Sequence, residues 1–161
     1  LMAATPGAPP ALWLASAHGT EEEVRRLLGE GADVKEKGPK DLSSLEAATM
    51  GGHHAVVRLL LSAKADVSGA NTEGMTALHW AAFNGHAAVA ELLLQNGANV
   101  QAKTNYGRTP LHRASLNGKL ETAILLLEHG ADVSAEDNFG QTSENFANSA
   151  SHFFLAVILK A

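Results

Sequence analysis

Apolar residues fall in two clusters that repeat along this chain. Around the middle, Leu78, Ala81 and Ala82 form a first short cluster, and Val89, Leu92 and Leu93 form a second at helical spacing. Polar turn formers separate them: Asn84-Gly85 after the first cluster and Gly97 after the second. Shifting the frame by 33 residues reproduces the arrangement: Leu111, Ala114 and Ser115, then Asn117-Gly118, then Ala123, Leu125 and Leu126, then Gly130. The columns extend in both directions without insertion or deletion. Leu12, Leu45, Leu78 and Leu111 lie one period apart; so do Ala15, Ala48, Ala81, Ala114 and Ala147; so do Val34, Val67, Val100 and Val133. A fixed period of this length marks a stacked-repeat architecture, in which no unit can bury its apolar face alone.

The pattern predicts two short antiparallel helices per unit, in units of about 5–37, 38–70, 71–103, 104–136 and 137–161. Thr76 and Thr109 suit an N-cap, and Pro110 suits the first helical position, where a missing N–H costs nothing. His79 and His112 stand three residues after these caps and are expected to bond back toward them. Small residues such as Ala81, Ala82, Ala114 and Ser115 let neighbouring first helices approach closely. Asn105 and Gly107 are turn formers and predict a projecting loop between units. Residues 1–10, with Pro6, Pro9 and Pro10, read as an extended lead-in, and residues 11–161 as a single domain.

Thr109-Pro110-Leu111-His112-Arg113-Ala114 and Thr76-Ala77-Leu78-His79-Trp80-Ala81 resemble the Thr-Pro-Leu-His-x-Ala core of ankyrin repeats. The resemblance implies an all-α ankyrin-repeat solenoid of five helix–turn–helix units with hairpin-like loops. It also implies a non-catalytic protein-interaction module, an adaptor or scaffold, binding on its concave face. A regulatory or inhibitory subunit acting on an enzyme or transcription factor is the alternative. Carried over position by position, the partner-binding surface would comprise Leu42, Met50, Glu73, Met75, Phe83, Asn84, Tyr106, Arg108, Arg113, Leu116, Asn117 and Phe139. Aromatic residues make up only 5% of the chain, so Phe83, Tyr106 and Phe139 at exposed positions would be candidate anchors. The competing reading packs Met50, Phe83 and Leu116 on one another as extended core. Arg108 and Arg113 suggest a partner segment with an acidic residue beside an apolar one. The family's modifiable asparagine after the loop valine is absent, since Lys35, Ser68, Gln101 and Ser134 stand there.

Departures from the repeat carry their own expectations. Glu46 stands where His79 and His112 do, and Trp13 occupies that position in the first unit. Lys64 replaces the helix-ending glycine of Gly31, Gly97 and Gly130. Polar Glu144, Asn145, Asn148 and Ser149, followed by Phe153, Phe154, Leu155, Val157, Ile158 and Leu159, read as a cap closing the stack.

A net charge of −5 argues against a phosphate-binding basic stripe, so no nucleic-acid partner is expected. The chain has no cysteine, hence no disulfide frame or thiolate site, which fits a reducing intracellular compartment, cytoplasmic or nuclear. No stretch approaches the roughly 18 apolar residues of a membrane helix. Eight histidines raise a metal hypothesis. Stacked helices about 8–10 Å apart, however, cannot bring His79 and His112 to one zinc ion, so structural hydrogen bonds are expected instead. Glu21, Glu22 and Glu23 read as a solvated helix start paired with Arg25 and Arg26. No catalytic motif, metal site or cofactor fingerprint is present, so neither an enzyme nor a cofactor is expected. A monomer is expected, with self-association through the apolar groove as the alternative.

Overall fold

The computed structural model describes residues 7–161, so most of the lead-in lies outside the described residues. Among the described residues the chain forms five helix pairs. They are α1 (Ala11–His18) with α2 (Glu21–Gly29), α3 (Ser44–Met50) with α4 (His54–Ser62), α5 (Ala77–Asn84) with α6 (Ala87–Gln95), α7 (Pro110–Leu116) with α8 (Leu120–Glu128), and α9 (Ser143–Ser149) with α10 (Phe153–Lys160). First helices pack on first helices down the stack more closely than second helices do on second. The small residues at Ala15, Ala48, Ala81 and Ala114, all buried, allow that approach, whereas α4, α6 and α8 meet through bulkier leucines. The first-helix side is thereby the inner, concave side. The core is a seam of Leu45, Leu78, Leu111, Leu60, Leu93 and Leu126, each at 1% exposure or less.

The helix starts form as the sequence predicts, with one addition. The Thr76 N–H donates to His79 Nδ1 at 3.1 Å, and the far nitrogen Nε2 lies 2.9 Å from the Arg108 carbonyl of the next unit. His112 repeats this with Thr109 at 3.0 Å and the Gln141 carbonyl at 2.9 Å. Since Nδ1 accepts, the proton sits on Nε2 and is donated across the unit boundary. Each histidine therefore both caps a helix and ties one unit to the next. In α3 the capping box is kept by Glu46, whose carboxylate accepts the Ser43 N–H at 2.8 Å. Unlike the histidines, Glu46 makes no hydrogen bond to the next unit's loop: its Oε1 is buried without a hydrogen-bond partner and its Oε2 lies 3.9 Å from Lys37 Nζ, and burial pushes its pKa up.

A second inter-unit bond comes from the histidines at the starts of second helices. Nε2 of His53, His86 and His152 lies 3.1, 3.1 and 3.2 Å from the carbonyls of Ala17, Met50 and Leu116, near or at the end of the preceding first helix. The ring packs so tightly over the preceding glycine that a Cβ on Gly52 would stand 2.8 Å from His86.

Lys64 has φ 67°, where Gly31, Gly97 and Gly130 have φ 88°, 89° and 84°. A side chain in this left-handed region costs about 1 kcal/mol relative to glycine. Lys64→Gly is therefore expected to raise the melting temperature by about 2–4 °C in a calorimetric scan; no change would show that the lysine side chain makes a compensating contact.

The last unit corrects the expectation of a full cap. Glu144 and Asn148 do replace buried apolar and small residues with polar ones on α9, but α10 leaves Phe153, Phe154 and Val157 at 67%, 71% and 68% exposure. Phe154 and Val157 fall in register with Glu121 and Ile124, positions that face outward on the convex back in every unit. Only Leu155, Ala156 and Leu159 turn into the core.

Candidate binding face

The concave side is built from loop tips and the exposed flank of the first helices. At the base of the last three inter-unit loops one polar side chain, Asn71, Thr104 or Asp137, accepts two backbone N–H groups, whereas Gly38 stands at that position in the first. Asn71 Oδ1 accepts from Glu73 and Met75 at 2.9 and 3.0 Å, and Asp137 Oδ1 from Phe139 and Gln141 at 2.9 and 3.0 Å. The tips are then tied one to the next. Asn105 donates its backbone N–H to Glu73 and its amide to Thr72, at 3.0 and 2.8 Å; Asn138 does the same to Tyr106 and Asn105, both at 2.9 Å. These rungs hold Glu73, Tyr106 and Phe139 in one exposed row, with Tyr106 at 51% and Phe139 at 66% exposure.

The ladder stops at the third unit. Thr72 occupies the asparagine position and makes no rung to the tip before it. There the chain turns through Lys40 and Asp41 at φ 57° and 60°, two non-glycine residues in the left-handed region. The result is a cleft of about 130 Å³ lined by Lys40, Leu42, Met50, Asn71, Thr72, Glu73 and Trp80. Beside it Trp80 and Phe83 meet edge to face, ring centroids 6.2 Å apart.

Two of the sequence-predicted contact residues are not presented. Leu42 is 8% exposed and Met75 only 2%. Both directly precede an N-cap, where an apolar side chain folds back against the first turn as a staple. Met50, Glu73, Tyr106 and Phe139 are exposed, while Phe83, Asn84, Leu116 and Asn117 are half-buried. The amides of Asn84 and Asn117 donate to the Trp80 and Arg113 carbonyls at 3.1 and 2.9 Å, so these side chains finish their helices.

The two arginines differ in a way their spacing does not reveal. Arg108 Nε donates to Asp137 Oδ2 at 3.2 Å, and its guanidinium lies 4.9 Å from the Phe146 ring centre and 5.8 Å from that of Tyr106. Burial pushes the Asp137 carboxyl up, but the Gln141 and Phe139 N–H groups and Arg108 outweigh it and hold the pKa below the usual carboxylate range. Arg108 is thus committed inside the fold. Arg113 is not. Its Nε is buried with no acceptor, and its Nη2 meets only the thioether of Met75, at 3.6 Å. Burial and the neighbouring Arg108 depress its pKa, with Glu73 opposing them.

The histidines on this side are structural. Burial lowers the His79 pKa to about 4 and that of His112 in the same direction. Among the described residues no group of three or more histidine, aspartate or glutamate side chains is placed to hold a metal ion, and no helix is long and apolar enough to cross a membrane.

Helix pairs stacked in a constant register, with tips tied by a side-chain ladder, define a repeat solenoid. Residues 12–104 and 69–137 match the family described as ankyrin repeats, in three copies, together spanning 12–137 of the 161 residues. The chain belongs to the ankyrin-repeat family. Its members are generally protein–protein interaction modules and typically non-catalytic. No curated protein matches the chain.

Proposed function

We propose that this protein is a non-catalytic adaptor that binds a partner protein on its concave face, between the second and fifth units, and that residues 11–161 act as one domain. The observation that carries this reading is the exposed row of Tyr106 and Phe139 beside the half-buried Phe83 and Leu116. Rigid aromatics held in a fixed frame are the residues that supply most of the energy at interfaces. The ladder of tip hydrogen bonds pre-organises this surface, so little ordering entropy is lost when a partner docks.

Met50, Phe83 and Leu116 fall in one column of the repeat, and Phe83 also leans on Trp80. A double Phe83→Ala, Tyr106→Ala variant separates the two roles such residues can have. It is expected to keep its far-ultraviolet circular dichroism and lose about 30-fold in affinity for a captured partner, the scale of one interface hot spot. Equal affinity would move the site to the convex side or an end. A collapsed fold would make these residues core.

A further inference from the structure

Resting on the concave face as the binding surface, we propose that it reads a linear segment in which one apolar side chain and one carboxylate are about three residues apart. The apolar group enters the cleft beside Trp80, and the carboxylate pairs with Arg113.

Each half comes from a local failure of the repeat. The cleft opens because the tip ladder lacks its rung between the second and third units. Its volume of about 130 Å³ is close to the roughly 150 Å³ that admits a benzene-sized group. Met50, Leu42 and Trp80 give it apolar walls, and Lys40 and Glu73 stand at its rim. Arg113 occupies the same register position as Trp80, one unit further on. It is a half-buried cation with no carboxylate within 4 Å among the described residues. A desolvated charge left unpaired costs stability, and a carboxylate arriving from a partner would recover that cost as binding energy.

The same groups set the charge of the occupant. Arginine clusters suit phosphorylated residues, but here Arg108 is taken up by Asp137 and Glu73 lies within the field of Arg113. One guanidinium with an acidic neighbour fits a singly charged carboxylate. Neighbouring units are about 10 Å apart, and an extended chain advances about 3.3 Å per residue, which fixes the separation.

A library of random 12-residue peptides displayed on phage, selected on the wild-type protein, tests this. Selected sequences should pair an apolar residue with aspartate or glutamate about three positions away. The best such peptide, synthesised, should lose about tenfold in affinity on Arg113→Gln, and equally when its acid is changed to the amide. Combining both changes should cost no more than either alone. Arg113→Lys should recover only part, because a lysine cannot form the paired contact. Peptides without an acid, or indifferent to Arg113→Gln yet lost on Phe83→Ala, would overturn this inference and leave the concave face as the site. Peptides indifferent to both changes, or no enrichment, would overturn both readings.

Discussion

Replacing His79 with leucine is expected to remove about 3 kcal/mol of stability. Leucine fills much of the same volume, so the loss comes from polar groups rather than from a cavity. The Thr76 N–H and the Arg108 carbonyl both lose their partner, in a place where His79 itself has 0% exposure. An orphaned buried donor or acceptor costs about 1–3 kcal/mol each. Because one of the two bonds crosses the boundary between the third and fourth units, the variant should also unfold less cooperatively, as expected when nearest-neighbour coupling in a repeat array is weakened. His79→Asn is the informative comparison. In the fifth unit Asn145 Oδ1 accepts the Thr142 N–H at 2.9 Å, so asparagine can cap the helix but cannot reach the next loop. It should fall between the wild type and the leucine variant in urea unfolding followed by circular dichroism. A leucine variant within about 0.5 kcal/mol of wild type, the usual range for a surface change, would mean the histidine is dispensable.

Acid should weaken the protein well above the range in which ordinary carboxylates titrate. The His79 ring is held neutral in the fold, with a pKa of about 4 against an ordinary 6.5, because burial disfavours a charge and the Arg113 guanidinium nearby adds to that, outweighing the Arg108 carbonyl. Below pH 6.5 the unfolded chain therefore binds a proton that the folded chain refuses. Stability is full above pH 6.5, falls as pH drops, and levels off near pH 4, a total of about 3 kcal/mol from this one ring. His112 acts in the same direction. Glu46 opposes them: its raised pKa means the buried carboxylate is a burden at neutral pH that protonation relieves. Asp137, whose pKa is lowered, adds its loss only below about 3.8. Melting temperatures recorded from pH 7.5 to 4 should decline for the wild type and less for His79→Asn, the two curves converging toward pH 4. Parallel curves would place the titrating group elsewhere.

How much of this was legible in the sequence depends on whether a residue's role is local. The helix pairs, the caps at Thr76 and Thr109 and the left-handed Lys64 all follow from short-range rules, and the structure has them where the period places them. Partners 29 or 36 residues away are another matter. The bonds from His79 to Arg108, and from His53, His86 and His152 back to the preceding unit, depend on how units stack. Their recurrence in the column shared by His53, His86 and His152 was the signal that could have found them. Leu42 and Met75 look like surface residues in the repeat frame, yet the staple position turns them inward. Arg108 and Arg113 look alike in sequence, and only the position of Asp137 shows that one is spoken for and the other is not. The apolar run from Phe153 to Leu159 has the composition of a cap, but at 3.6 residues per turn it cannot turn every side chain inward.

The most direct test of the concave face as the binding surface is a heteronuclear NMR titration of the isotope-labelled protein with a partner peptide selected on it. The account predicts shifts confined to the tips at Lys40, Glu73, Tyr106 and Phe139 and to the inner flank at Trp80, Phe83, Arg113 and Leu116. Shifts concentrated instead on α2, α4, α6, α8 and α10, with the inner flank unmoved, would contradict it.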